Sequence, residues 1–452
     1  MSNPLKKVGM VNLGCAKNQV DAETMLGRLK AEGYELTPDP SEAEVIIVNT
    51  CGFIDDAKEE SVQAILDMAE FKNGNCEKLI ATGCLTQRYG KELAEGIPEL
   101  DALIGTGEEG GLTDLLPKLT GAAPDAPPLI QIGDPGGLGG GAGRVRVGPG
   151  HSAYVKIAEG CSKQCSFCII PQLRGGLASR PMAEIVEEVK GLVADGVREV
   201  ILISQDTTNY GVDIYQNKSL AELIRKVGAV DGLTWLRLLY TYPTDYTDDL
   251  LTTIAETPAC VPYIDLPLQH AATSVLKRMN RRGTTEGLYE LIDRIRAKIP
   301  GVALRSSFIV GFPGESEVEF DTLYRFLQDT RLDRVGVFTY SHEEGTTAHG
   351  FEDNVSMATK VDRREALMAL AADIAQEKNE ALVGKTVDVL VDGLSRETDL
   401  LLEGRMKSQA PEVDGVVYIN DTDDRELQPG EIVRVKITEA HTYDVVGGVV
   451  SG

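Results

Sequence analysis

The chain has 452 residues, 42% hydrophobic and 25% charged, and a formal net charge of −25 from 45 Lys+Arg against 70 Asp+Glu. Its length supports two or three domains, each with its own core, and its charge opposes strong non-specific binding to nucleic acid while suiting a basic protein partner. No run of about 18 apolar residues is present, and Met1-Ser-Asn-Pro-Leu-Lys-Lys lacks the apolar segment of a signal peptide, so a cytoplasmic protein with no membrane association is expected.

Residues 5–120 alternate short apolar runs with helical patterns. Lys7–Leu13, Val45–Asn49 and Lys78–Thr82 read as strands, followed by helical stretches at Val20–Leu29, Asp56–Ala69 and Gln87–Leu93. This alternation predicts an α/β domain with a mainly parallel sheet. Residues 121–150, with Pro124, Pro127, Pro128 and the tract Gly136–Gly143, carry neither period and read as a flexible linker.

Residues 151–382 contain six strand candidates separated by helices: Tyr154–Ala158, Glu199–Ser204, Thr234–Tyr240, Tyr263–Leu266, Ala303–Val310 and Arg334–Tyr340. Six βα units predict an incomplete parallel (β/α)6 barrel with its chemistry at the strand carboxyl ends. A long helix near Thr359–Leu382 closes the region. Residues 383–450 alternate or are β-rich at Thr386–Val391, Gly415–Ile419 and Ile432–Ile437, with Pro429-Gly430 as a turn, and predict a small antiparallel β-barrel.

Eight cysteines in such a chain favour metal over disulfides. Cys161, Cys165 and Cys168, spaced C-x-x-x-C-x-x-C just after the first barrel strand, let one loop place three thiolates around a cubic 4Fe-4S cluster. Three ligands for four irons leave one iron able to chelate a small molecule.

Cys15, Cys51 and Cys84 share another context, each directly after an apolar strand with a glycine beside it. In a parallel sheet such carboxyl ends converge on one edge, so three thiols distant in sequence would meet. Three separately buried cysteines and a zinc site are the alternatives. Cys76 and Cys260 lack both contexts and read as bystanders.

With these two sets the chain resembles the radical S-adenosylmethionine (SAM) methylthiotransferase family over nearly its whole length. The resemblance rests on Gly14-Cys15-Ala-Lys-Asn18-Gln-Val-Asp21, Asn49-Thr-Cys51-Gly-Phe, Gly83-Cys84, Ala158-Glu-Gly-Cys161, Phe167-Cys168-Ile-Ile-Pro171, Arg174–Arg180, Ser204–Gly211 and Pro267-Leu-Gln-His270. The later segments are most similar to the branch that methylthiolates the β-carbon of an aspartate in small-subunit ribosomal protein twelve. The resemblance implies two 4Fe-4S clusters, two SAM molecules per turnover, an electron donor and a TRAM-like tail. The Cys161 trio would bind and cleave SAM, and the Cys15 trio would carry the sulfur. No acid–base dyad is expected, because an unactivated C–H bond has no useful acidity.

Phe167 matches the place where the family's loop backs the SAM adenine, with plain packing as the alternative. Gln205, Gln269 and Ser307, at the ends of predicted strands, are candidate SAM contacts at the barrel mouth. His270 reads as a structural hydrogen-bonding residue. The run Lys277–Arg282 reads as a solvated helix face, or as a device steering an acidic substrate side chain.

Two other functions compete: methylthiolation of adenosine in transfer RNA, and a non-enzymatic iron–sulfur redox sensor. An RNA-binding tail should be basic and rich in aromatics. From Val383 to Gly452 there are seven Lys/Arg against fourteen Asp/Glu, and two aromatics, Tyr418 and Tyr443. A basic ribosomal protein is therefore the expected substrate, and transfer RNA is not.

Overall fold

The structure, a computed structural model, describes residues 7–120, 126–136, 143–398 and 400–450. Pro124 and the central part of the glycine tract, 137–142, lie outside them.

The amino-terminal domain runs β1 (Lys7–Asn12), α1 (Ala16–Ala31), β2 (Glu35–Thr37), β3 (Val45–Thr50), α2 (Asp55–Ala69), β4 (Lys78–Gly83), α3 (Cys84–Gly96), β5 (Ala102–Ile104), α4 (Leu112–Thr120) and β6 (Leu129–Gln131). All strands are parallel, in the order β2-β1-β3-β4-β5-β6. Strand β3, Val-Ile-Ile-Val-Asn-Thr, is buried at every position, as a central strand covered by helices on both faces requires. The strand order reverses between β1 and β3, which opens a crevice at their carboxyl ends.

Two features depart from a flexible linker at 121–150. Leu129–Gln131 forms the edge strand β6, because its short apolar run can extend the sheet beside β5. Arg144, almost wholly buried, pairs with Glu23 of α1 at 3.0 Å and with Glu188 at 3.3 Å, which pins the carboxyl end of the segment. Composition signalled neither.

The central domain begins with β7 (Ser152–Lys156) and a two-residue strand β8 (Ala158–Glu159), followed by the cysteine loop, α5 (Ile170–Arg174) and β9 (Ala178–Ser179), which pairs with β8. There follow α6 (Met182–Ala194), β10 (Glu199–Ile203), the single turn α7 (Val212–Tyr215), α8 (Leu220–Gly228), β11 (Trp235–Leu238), α9 (Asp248–Glu256) and β12 (Tyr263–Asp265). The domain ends with α10 (Thr273–Arg278), α11 (Thr285–Lys298), β13 (Ala303–Val310), α12 (Glu317–Thr330), β14 (Arg334–Thr339) and α13 (Met357–Glu380). The six long strands form two parallel three-stranded ladders, β11-β10-β7 and β12-β13-β14, joined by a single bridge between Leu236 and Cys260. Successive strand residues point to opposite faces. Val155, Val200, Leu202, Leu236 and Leu238 pack against the surrounding helices, whereas Tyr154, Ile201, Ile203 and Trp235 form a second cluster with Ala16 and Val20 of α1.

The carboxy-terminal domain is a closed barrel of β15 (Thr386–Leu394), β16 (Leu402–Arg405), β17 (Val417–Asp421), β18 (Ile432–Ala440) and β19 (Val445–Val449), ordered β15-β16-β17-β19-β18. Its ladders are antiparallel except β17 with β19, which is parallel. It docks on the amino ends of the barrel strands through buried charge. Arg405 contacts Glu199 at 2.7 Å and Asp392 at 2.8 Å; Arg237 contacts Glu199 at 2.9 Å, and His151 contacts Asp392 at 2.8 Å.

Burial alone would raise both carboxyls, but Arg405 with Arg237 holds Glu199, and His151 with Arg405 holds Asp392, below the ordinary carboxylate range. Their stabilisation is therefore present above about pH 4 and lost as pH falls through the lowered values. Arg405→Ala is expected to cost on the order of 3 kcal/mol, because it strips a partner from two buried carboxylates. Urea unfolding at pH 7 measures this loss, which should shrink toward pH 3.

Candidate functional site: two thiol trios across a charged seam

The first trio of distant cysteines converges at the crevice between β1 and β3. Cys15 is the N-cap of α1, Cys51 follows β3, and Cys84 opens α3 directly after β4. The approach is close: a Cβ added to Gly14, at φ +90°, would lie 2.9 Å from the Cβ of Cys51, and one on Gly52 would lie 2.7 Å from the Cα of Leu85. Burial pushes the Cys84 thiol up to about 12, with Arg174 opposing the shift and the nearby Cys15 and Cys51 adding to it. Burial also raises Cys51. For Cys15, burial is outweighed by the charges of Lys17 and Arg174, which bring the thiol below its usual value.

The second trio lies on the loop between β8 and α5. The Cys168 amide donates to the Cys165 carbonyl at 3.1 Å, the Lys163 amide donates to Cys161 Sγ at 3.4 Å, and Arg281 Nη1 donates to Cys165 Sγ at 3.6 Å. Burial raises Cys161 to about 11 and Cys168 to about 12, with Cys165 adding to both shifts. Such thiols ionise readily only when a bound cation replaces the lost water.

Among the described residues no three Cys, His, Asp or Glu side chains stand close enough to chelate a single ion. A cubic cluster distributes its irons over a wider body, so its thiolates stand further apart than the ligands of one ion. Three thiols with no His or carboxylate in either set suit such a cluster and fit structural zinc poorly. Cys76 is buried in the amino-terminal core, where its thiol contacts the Lys78 carbonyl, and Cys260 is buried in the barrel core; neither joins a trio.

Beside Cys84 runs a seam of charge whose members Asn18, Asp21, Glu159 and Arg174 lie in the quoted motifs but gain no role from the sequence alone. Arg174, at the end of α5, donates to Cys84 Sγ at 3.2 Å, to Asp21 at 2.6 Å, to Glu159 at 3.4 Å and to the Asn18 amide oxygen. Lys156 pairs with Asp21 and, at 2.6 Å, with Glu159. Burial opposes ionisation of Glu159, but Lys156 and Arg174 bring it down to about 2. Glu109 also feels the seam: burial and then Asp21 raise it to about 7. A signal existed, since Cys15, Asn18 and Asp21 recur every three residues and so share one face of α1.

The candidate SAM contacts divide. Gln205 donates to Glu159, at the edge of the seam, and its buried amide oxygen has no hydrogen-bond partner. Gln269, at φ +71°, bridges to β13, and its backbone bonds Ser307 at 2.8 Å and Ile309 at 2.7 Å. Gln205 and Gln269 lie beyond the carboxyl ends of β10 and β12, whereas Ser307 lies inside β13 and not at its end. Phe167 packs beside Ala272, Met279, Phe312 and Tyr340, which favours a packing role for the side chain as it stands. His270 accepts from the Ala272 amide at 3.0 Å, and burial lowers its pKa to about 3, which keeps it neutral and structural. The run Lys277–Arg282 is not one solvated face: Arg278 pairs with Glu319, and Arg281 is buried against Cys165.

Three family models tile the chain: an uncharacterized protein family, UPF0004, at residues 7–105, the radical SAM superfamily at 155–327, and the TRAM domain at 383–450. Among solved structures, the radical SAM methyltransferase TsrM from Kitasatospora setae superposes with a TM-score of 0.54 at 15% identity, over 74% of this chain and 72% of that one. OxsB, a cobalamin-dependent radical SAM enzyme, gives 0.51 at 13% identity, over 81% and 56%. At such identities these establish the fold alone. Fold and cysteine loop thus define a radical SAM enzyme. Proteins named ribosomal protein uS12 methylthiotransferase RimO are 48% identical in Geobacter sulfurreducens over 100% of both chains, and 48% identical in Solibacter usitatus over 98% of this chain and 94% of the relative. The chain belongs to the RimO family of radical SAM methylthiotransferases.

Arg174→Met is expected to destabilise the seam by about 3 kcal/mol, because Asp21 and Glu159 then face each other with only Lys156 between them. Hydrogen–deuterium exchange should accelerate over residues 15–21 and 170–174. Arg174→Lys should recover only part of the protection, since an ammonium cannot span four acceptors as a guanidinium does. Exchange at the wild-type rate in both variants contradicts a locking role.

Proposed function

We propose that this enzyme inserts a methylthio group at the β-carbon of an aspartate in ribosomal protein uS12, in the cytoplasm, using two 4Fe-4S clusters and two SAM molecules. The observation that carries the reading is the pair of three-thiol sets, with Arg174 of the helix that follows the Cys161 loop bonded to Cys84 of the other set, in a chain 48% identical end to end to a relative bearing that name. When bound, clusters with one iron free of protein ligands supply two open coordination positions, one to hold and reductively cleave SAM and one to hold sulfur.

The chain's own residues do the rest. Cys161, Cys165 and Cys168 hold the SAM-side cluster, and Cys15, Cys51 and Cys84 hold the sulfur-side cluster. Arg174 keeps positive charge beside Cys84 and ties α5 to α1, which fixes the separation of the two sets. Gln205, whose amide oxygen has no hydrogen-bond partner among the described residues, and Gln269, whose backbone is bonded to Ser307 of β13, face SAM. Walls made by α1, α5 and the barrel strands exclude water, which suits a reaction whose carbon radical must meet sulfur and nothing else. The tail, with its carboxylate excess, offers a docking surface to a basic ribosomal protein and repels transfer RNA.

Mass spectrometry of uS12 and of transfer RNA from a deletion strain tests the substrate: the mark should vanish from uS12 and persist on RNA, and loss on RNA alone overturns the reading. For the clusters, Cys15→Ala combined with Cys51→Ala should lose about half the iron of the anaerobically loaded wild type. The double variant should still form 5′-deoxyadenosine from SAM but yield no methylthiolated protein. Retention of all its iron would remove the second cluster from the account.

A further inference from the structure

A pocket of about 560 Å³ opens beside the Cys161–Cys168 loop, lined among others by Lys163, Tyr242, Lys277, Arg281 and Arg282, with no carboxylate in its lining. In a chain of net charge −25 this lining is locally basic. Lys163 is committed to Asp245 at 2.7 Å and lies 4.2 Å over the Tyr242 ring, and Arg281 lies 4.4 Å from the same ring. Lys277 and Arg282 are exposed, and no ion pair among the described residues involves them.

The position of the pocket decides what it fits. On the other side of the cysteine loop, Ile169 and Leu173 pack against Cys84 and Phe53, so that side faces the Cys15, Cys51 and Cys84 trio. A substrate side chain meeting both trios must enter there. The basic pocket instead borders Cys161 and Cys165 on the outer side, and Arg281 spans from the pocket wall to Cys165 Sγ at 3.6 Å. SAM cleavage as proposed consumes one electron, and this is the face from which a donor can approach the Cys161 trio without crossing the substrate space.

We propose that this pocket is the docking site of a small acidic one-electron carrier protein, whose carboxylates seat on Lys277 and Arg282. The inference rests on the reading of the Cys161 trio as the electron-receiving site. The donor is oxidised by one electron and the Cys161 site is reduced by one; no atom is transferred. Repulsion by the acidic surface elsewhere steers such a carrier toward this basic opening, and the same basic charge turns a basic ribosomal protein away from it.

The test uses the anaerobically loaded holoenzyme, with a reduced acidic ferredoxin as probe, and the double variant Lys277→Glu plus Arg282→Glu. Ferredoxin binding and the rate of electron transfer from it should each fall about tenfold or more, and the rate should lose its salt dependence. Formation of 5′-deoxyadenosine with dithionite should remain at the wild-type level. Unchanged transfer from ferredoxin overturns the proposal. So does a parallel loss with dithionite, which would place the two residues in substrate or cluster binding, and so does a defect confined to ribosome binding, which would make the patch an RNA contact. A wild-type holoenzyme that forms no 5′-deoxyadenosine with dithionite sinks the site reading itself, and the dock with it.

Discussion

Everything at the centre of this molecule depends on a guanidinium that leaves the helix after one set of thiols and is buried against a thiol of the other. Arg174 stands six residues after Cys168, yet its nitrogens end on Cys84, Asn18 and Asp21 of another domain. A charge so deeply buried persists only if carboxylates surround it, and Asp21 and Glu159 do so, with Lys156 balancing the pair. The arrangement ties helix α5, which follows the Cys161 loop, to the amino-terminal domain that carries the other thiol trio. Loosely tethered domains would leave the spacing of the two trios to chance.

The same logic orders the rest of the fold. Strand order in the amino-terminal sheet reverses between β1 and β3, so the carboxyl ends of β1, β3 and β4 share one rim, and each end carries a cysteine. The barrel strands present their carboxyl ends to the same region. At the opposite end, the small barrel is fastened by Arg405, Glu199 and Asp392 to the strand starts, where ions serve cohesion and not chemistry. Lys58 and Arg88, both reaching Glu343, add a second tie between the amino-terminal domain and the loop after β14.

How much of this could be read from residues alone follows from the range of each interaction. Local periodicity revealed the parallel sheet, the six barrel strands and the β-rich tail, because burial of one face is written every two or three positions. The two cysteine sets stand out in the sequence as well, one by spacing and one by a repeated strand–cysteine–glycine context. The edge strand Leu129–Gln131 was not, since three residues flanked by prolines carry too little pattern; only the open edge of β5 makes them a strand. Arg144 was equally silent, its role set by Glu23 and Glu188 far along the chain. The seam escaped for a similar reason: Asp21, Lys156, Glu159 and Arg174 are ordinary charges until folding gathers them. Arg281 shows the converse error, a cation that looks solvated within its basic run and is in fact buried against Cys165.

The central claim is geometric: two iron–sulfur centres, with one arginine tying the helix after the first to a thiol of the second. Anomalous diffraction at the iron edge, from crystals of anaerobically loaded protein, tests it most directly. The account predicts two iron peaks of comparable occupancy, one against Cys161, Cys165 and Cys168 and the other against Cys15, Cys51 and Cys84, with the Arg174 guanidinium beside Cys84. A single peak at the Cys161 loop, with the other three sulfurs free of metal, would contradict it.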